Sequence, residues 1–395
     1  MKNGFKNLFI AAVCGMMTGC AGPREKTPEN TFVLRAEIKN LNEPYLVYYE
    51  KNDLYPGGYR MDTLKVIDGK FEFRDSLDGV KDYRIFVKQA TKYIDERASL
   101  PTIVNQIRFL GYPGAEITVR GEISDFVNAY PSDGGINDTY ADLNRKIYPL
   151  LNEDVTMRME HFKYSRANPD IEISYDSVDR RSEALNSKVF EIKKAFISDN
   201  LNTPAAVYTL LTAFNRKEFD LETTKDYYTS MNEEELKDLS FYKELGGRLD
   251  AIESTAVGSK APSLMTKNVL EGEGFDLESL KGNYVLIDYW GTWCGPCMGE
   301  MPKIKEYVEK YADKNFVVLG VDSGDTEENW RSMIESRQLN WTHIRSTPEH
   351  DLLIPYNVNA FPTKFLIDPE GKILYNSKSA DGKKVFDVID EIFKG

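Results

Sequence analysis

Trp290-Gly291-Thr292-Trp293-Cys294-Gly295-Pro296-Cys297 sets two thiols three residues apart. Where such a pair opens a helix, the sulfurs can close a small disulfide ring. The unpaired N–H groups at the helix N-terminus carry about half a positive charge, which favours thiolate over thiol. An ordinary thiol is only a few per cent ionised at pH 7. A fall of ~1.5 pK units, equivalent to ~2 kcal/mol, makes it about half thiolate. The chemistry on offer is dithiol–disulfide exchange. Cys294, at the junction, is expected to present an exposed sulfur and attack first, while Cys297 is expected to be shielded by Pro296 and the helix. A zinc site would need two further ligands, and with three histidines in the chain, His343 and His350 isolated in sequence, none suggest themselves.

The elements that must hold this pair are legible around it. Tyr284 to Tyr289 is an apolar strand and Pro296 to Tyr311 a helix, so the thiols sit where one becomes the other. Phe316 to Val321 reads as a strand and Thr326 to Arg337 as a helix. Lys364 to Ile367 and Lys372 to Leu374 form a hairpin through Asp368-Pro369-Glu370-Gly371, and Lys383 to Phe393 a closing helix. This order predicts an α/β domain over 256–395 with a parallel βαβ core and helices on both faces.

With the later Phe361-Pro362-Thr363, the Trp-Cys-Gly-Pro-Cys motif resembles a thioredoxin-fold thiol:disulfide oxidoreductase of the membrane-tethered, periplasmic TlpA/ResA-like kind. The resemblance covers 256–395; the upstream regions resemble the β-rich plus helical extension of such lipoproteins in Bacteroidetes. It implies that Cys294 is the nucleophile, Cys297 the resolving thiol, and that the two form a redox disulfide. It implies a cis Pro362 facing that disulfide, with the Phe361 backbone free to pair with a substrate strand. Trp293, Pro296, Phe361, Pro362 and Thr363 are then the substrate-binding residues. Two acids fall at proton-handling positions of the family: Asp288, the buried acid of thioredoxins, and Glu300, the active-site Glu of the ResA-like branch. Burial raises a carboxyl pKa and suits it to relay a proton to or from Cys297. For Glu300 a plainer reading stays open, an exposed early-helix acid favoured by the dipole.

Gly-Pro between the cysteines resembles the reducing thioredoxins, which implies reduction of client-protein disulfides, in cytochrome c maturation or envelope redox homeostasis. No cofactor is implied; the electrons would come from a membrane thiol transporter. Two other functions compete with this one. A peroxiredoxin-like peroxidase would place a Thr three residues before a lone reactive Cys, a context Cys294 lacks. A ligand- or protein-binding envelope lipoprotein would use the region before Ala256 for capture and keep the thioredoxin domain as an accessory.

The chain begins with Lys2 and Lys6 and an uncharged run from Leu8 to Met17, too short to span ~30 Å of hydrocarbon. Residues 1–19 thus read as a signal peptide. Met17-Thr18-Gly19-Cys20 resembles a lipobox, with Met in place of the usual Leu, and implies lipid on Cys20 followed by a polar tether over 20–30. A single acyl chain anchors only marginally, so the multiple acylation of such lipoproteins matters. From 31 to 125, alternation at Phe32, Leu34, Ala36 and Ile38 and strand-like runs at Tyr45–Tyr49, Tyr83–Val87, Ile103–Leu110 and Glu116–Arg120 predict an antiparallel sandwich or barrel. Val66 to Phe73 reads as a hairpin turning at Asp68-Gly69. From 135 to 255 the period is helical, giving four or five helices with Tyr140, Leu143, Ile147 and Leu150 on one stripe and Leu185, Val189, Ile192 and Phe196 on another. Thr203-Pro204 marks a helix start, Asn232 with Glu235 a capping box, and His161 a solvated side chain. A net charge of −13 argues against nucleic-acid partners.

Overall fold

The structure, a computed structural model, describes residues 28–50, 60–95, 105–172, 174–379 and 382–394. Cys20, the signal segment and most of the tether lie outside the described residues.

Strands β1 (Thr31–Lys39), β2 (Tyr45–Glu50), β3 (Arg60–Lys65), β4 (Lys70–Ser76), β5 (Lys81–Phe86), β6 (Gln106–Gly111), β7 (Glu116–Glu122) and β8 (Pro131–Ser132) make two four-stranded sheets, ordered β4-β1-β7-β8 and β3-β2-β5-β6. Alternation sends Phe32, Leu34, Ala36 and Ile38 inward to meet Tyr48, Tyr83, Ile85 and Phe109 in one buried cluster between the sheets. The result is a sandwich, not a closed barrel. Two expectations need correction. The region is not wholly antiparallel, because β1 runs parallel to β7. Asp68 and Gly69 do adopt the positive φ of a tight turn, 51° and 71°, and Ile67 bridges Lys70. The arms then part into different sheets, β4 pairing with β1 from Thr31↔Ser76 to Glu37↔Lys70. A Cβ on residue 69 would lie 2.4 Å from Ile38 O, so the turn needs glycine for space as well as for φ.

Among the described residues six helices follow rather than four or five: α1 (Ile136–Ala167), α2 (Asp176–Asp199), α3 (Pro204–Asn215), α4 (Leu221–Ser230), the single turn α5 (Glu233–Leu236) and α6 (Ser240–Ser254). Tyr140, Leu143, Ile147, Val189 and Phe196 join one cluster with Leu110 of β6. Asn137 docks α1 on that strand: its amide accepts from Leu110 N–H at 2.8 Å and donates to Leu110 C=O at 2.9 Å. These bonds satisfy backbone groups that a sheet edge would otherwise leave bare. Thr203 caps α3 as expected, accepting from Ala206 N–H at 3.2 Å. The capping box does not form; the Asn232 N–H goes to Asn202, and Glu235 accepts from the Asn232 amide. Nor is His161 solvated. Its ring packs edge-on against Tyr175 at 4.2 Å.

The last region holds a short hairpin, β9 (Met265–Thr266) and β10 (Phe275–Asp276), then β11 (Tyr284–Trp290), α7 (Gly295–Lys310), β12 (Phe316–Ser323), α8 (Glu327–Arg337), β13 (Thr342–Ser346), β14 (Thr363–Ile367), β15 (Ile373–Asn376) and α9 (Val385–Lys394). The sheet order is β13-β12-β11-β14-β15, parallel among the first three and antiparallel thereafter. This is the thioredoxin-like fold, with β13 as a strand the sequence reading missed. The helices do not cover both faces. Two successive right-handed crossovers stepping the same way, β11 to β12 to β13, put α7 and α8 on one side, and residues of α7, α8 and α9 share one buried cluster. The opposite face is closed by Leu264, Leu277, Leu353 and Tyr356, from loops and 3-10 turns.

Candidate active site

Cys294 is the N-cap of α7 and Cys297 lies in its first turn. The two are joined as a disulfide with Cα atoms 5.3 Å apart. The Cys297 N–H donates to Cys294 Sγ at 3.2 Å, so the first sulfur occupies the capping position a Ser or Asp oxygen usually takes. A thiolate there gains both that hydrogen bond and the helix dipole. Cys294 is less open than its position suggested: it is 4% exposed and Cys297 1%. Trp293 and Pro296 are exposed instead. The Trp293 ring stands edge-on to Phe361 at 5.2 Å, and Phe361 packs on the cluster that includes both cysteines. The Phe361-Pro362 peptide is cis. Thr363, buried, donates its hydroxyl to Ala360 C=O at 2.7 Å.

The loop before the thiols is held from the end of β12. Trp293 Nε1 donates to Ser323 C=O at 2.9 Å, and Thr292 donates its N–H to Asp325 at 2.7 Å and its hydroxyl to the same carboxylate. A Cβ at Gly291 would lie 2.9 Å from Ser323 C=O, so the close approach requires glycine. Beneath lies Asp322, fully buried, its pKa pushed well up by burial and by the neighbouring Asp325 carboxylate. The sequence reading missed this acid; an Asp ending the apolar run from Phe316 was the available signal.

The two expected acids are brought together by a residue the sequence reading also missed. β11 and β14 pair so that Asp288 is directly opposite Lys364. The buried Lys364 ammonium lies 2.8 Å from Asp288 Oδ1 and 2.5 Å from Glu300 Oε2 on α7. Burial raises the Asp288 pKa, and Lys364 opposes that without cancelling it. Burial pulls Lys364 down, but the two carboxylates outweigh it and hold its pKa above the ordinary value. Glu300 differs from Asp288 in access, with 44% of its side chain exposed. His343 is packed against Trp290 and Trp341, and its Nε2–H donates to Leu339 C=O at 3.2 Å. Burial lowers its pKa to about 4 and keeps it neutral. Among the described residues no group of three or more His, Cys, Asp or Glu is placed to hold a metal, and no helix is long and apolar enough to cross a membrane.

Residues 257–376 match the AhpC/TSA family, and residues 32–140 match a domain of unknown function, DUF4369. The chain is 33% identical over 122 residues to thiol-disulfide oxidoreductase ResA of Bacillus cereus, an alignment covering 31% of this chain and 69% of that protein. It is 31% identical to ResA of Bacillus subtilis, over 31% of this chain and 67% of the relative. Among solved structures, the thioredoxin domain of a thiol-disulfide oxidoreductase from Bacteroides vulgatus is 31% identical, with 35% of this chain and 97% of that one covered and a TM-score of 0.32. A thiol:disulfide interchange protein from a Bacteroides species is likewise 31% identical, covering 36% and 93%, with a TM-score of 0.33. Through its C-terminal region, where the paired cysteines open α7, the chain belongs to the ResA-like thiol-disulfide oxidoreductases.

Proposed function

We propose that the chain reduces disulfides of client proteins in the cell envelope, tethered through a lipid on Cys20. The observation that carries the chemistry is the Cys294–Cys297 pair at the start of α7, with Cys294 Sγ as the helix cap. In the reduced enzyme the Cys294 thiolate attacks one sulfur of a client disulfide, and the client's other sulfur leaves as thiolate. Cys297, deprotonated, then attacks Cys294 Sγ, releasing the second client thiol and closing the Cys294–Cys297 disulfide. Two electrons from a membrane thiol transporter restore the dithiol. Asp288 and Glu300 are suited to take and return the Cys297 proton, being linked through Lys364 on the α7 side of the sheet.

Clients would dock beside Trp293 and Phe361. Among the described residues the Phe361 N–H and C=O take part in no hydrogen bond, which leaves them for an extended client segment adding as a strand. Cytochrome c maturation and general envelope redox homeostasis both call on this reaction. Cys297→Ser should accumulate covalent client complexes on non-reducing gels of envelope extracts, and Cys294→Ser should not. Equal trapping by both, or by neither, overturns the assignment of nucleophile and resolving thiol. Loss of membrane partition in Cys20→Ala tests the anchor separately.

A further inference from the structure

α6 belongs to the helical segment, yet it packs on the turn that leads into Phe361-Pro362. Its Arg248 is 0% exposed. Nε donates to Glu244 at 2.8 Å, while Nη1 donates to Val358 C=O at 3.3 Å and Asn357 Oδ1 at 3.4 Å. Those acceptors end a helical turn. Val358 N–H reaches back to Leu353 C=O and Asn357 N–H to Ile354 C=O, both at 2.8 Å, with Asn357 left-handed at φ 48°. This is the closure of a helix C-terminus. The Asn357 carbonyl also takes the Lys378 ammonium. One residue earlier on α6, Gly247 approaches so near that a Cβ would lie 2.7 Å from Ile354 Cγ2.

A buried guanidinium is a poor way to glue a helix to its neighbour, since apolar packing of the same volume serves at least as well. Its use here makes sense if the position of what it grips matters. Arg248 grips residues 357 and 358; Thr363, already in β14, fixes the other end. Between them lie residues 359–362, which carry the Phe361 ring against Trp293.

We propose that Arg248 is a positioning residue of the exchange site, supplied by the helical segment to set residues 359–362 for client docking. The N-terminal extension is then part of the enzyme rather than cargo. The inference rests on the reading that the Phe361-Pro362 face receives clients, and the test separates the two.

In the full chain, rates of insulin-disulfide reduction and of reduction of a small aromatic disulfide are measured side by side and expressed as a ratio. Asn357→Gly keeps the left-handed backbone and deletes only the Oδ1 acceptor. Gly247→Ala pushes on Ile354 without removing any charge. Displacements near 1 Å can cost up to ~100-fold, so Arg248→Met should lower the ratio about tenfold, through a higher KM for insulin, and the two milder variants about threefold. A purely structural role lowers both rates together and leaves the ratio where it was; that result overturns the inference. Should Arg248→Met fold poorly, the other two variants decide. If Phe361→Ala lowers the ratio while Arg248→Met and Asn357→Gly do not, Arg248 alone has been misassigned. If Phe361→Ala also leaves it unchanged, the client-facing reading has failed and takes the inference with it.

Discussion

Two clusters of buried charge, one where the sandwich meets the helices and one joining β11, β14 and α7, use the same ingredients to opposite ends. In the first, Arg84 of β5 donates to Asp82 Oδ2 through Nε at 3.2 Å and Nη2 at 2.9 Å, and Tyr208 of α3 donates to the same oxygen at 2.6 Å. All three are buried, and one carboxylate faces one guanidinium. Burial works against the Arg84 charge, but Asp82 outweighs it and holds the pKa above the ordinary value. In the second cluster a single ammonium, Lys364, serves two carboxylates, and one of them, Glu300, reaches solvent. A closed, neutral cluster specifies which strand meets which helix. An open one with surplus carboxylate can gain or lose a proton in place, which is what the proposed relay to Cys297 calls for.

The largest effect is expected in the closed cluster. Asp82→Ala leaves a buried guanidinium without its counter-charge, at a cost of about 3–5 kcal/mol of unfolding free energy. Since nothing left there titrates near neutrality, urea unfolding should show the same loss from pH 5 to pH 8, and the folded variant should exchange disulfides at the normal rate. A steep pH dependence would break the contrast between the clusters.

Lys364→Met should do the reverse. Without the ammonium, the buried Asp288 carboxyl is kept protonated in the fold, so its already raised pKa rises further. An acid whose folded pKa is raised stabilises below its unfolded value and loses that contribution as pH climbs towards the folded one. Relative to the parent, the variant should therefore lose stability as pH rises from the parent's Asp288 titration to its own higher one, with a slope of at most about 1.4 kcal/mol per pH unit. The pH–rate profile for release of the mixed disulfide should move with it.

These two variants also mark how far local reasoning reaches. The thiols, the helix they open and the acid in an apolar strand are facts of neighbouring residues, so Cys294, Cys297 and Asp288 could be found by reading along the chain. Lys364 could not. In Thr363-Lys364-Phe365-Leu366-Ile367 it looks like a strand flank, and its significance lies in the register that sets it opposite Asp288. A faint signal was available: period two puts Lys364 on the face of Leu366, which is buried beneath α7. The exposure of Cys294 failed for a related reason, since the Phe361 side of the site arrives from 67 residues further along the chain. Arg248 had its own hint, an arginine between Leu245 and Leu249 on a helix whose other inward positions are apolar.

A third buried group sets the acid limit. His343 is held neutral, its pKa lowered from 6.5 to about 4 by burial. A depressed folded pKa gives stability that is present above 6.5 and lost as pH falls through the window to 4, about 3 kcal/mol in all. This runs opposite to Asp288, which gains as pH falls. His343→Leu should flatten the acid limb of a pH–stability curve between those values while leaving the Lys364→Met slope intact. If the limb survives the substitution, acid sensitivity comes from elsewhere.

The smallest change in stability, and the sharpest test of openness, is Glu300→Gln. The Glu300 side chain is 44% exposed, and a pair with that much water at one partner is worth about 0–1 kcal/mol. Lys364 keeps Asp288 as its counter-ion, so no buried charge is stranded. Unfolding free energy should thus move by less than about 1 kcal/mol. Proton handling should not be spared so easily, because Glu300 is the member of the cluster that solvent can reach. A positioned acid–base group is worth about 10²–10⁴-fold where it acts alone. With Asp288 still in place, release of the mixed disulfide should slow by about tenfold at most, while the first attack by Cys294 is unaffected. Rapid-mixing reduction of a fluorescent disulfide peptide resolves the two steps. Equal slowing of both would mean that Glu300 tunes the field at the thiols rather than carrying a proton, and an unchanged release step would return it to an ordinary acid on an exposed helix face.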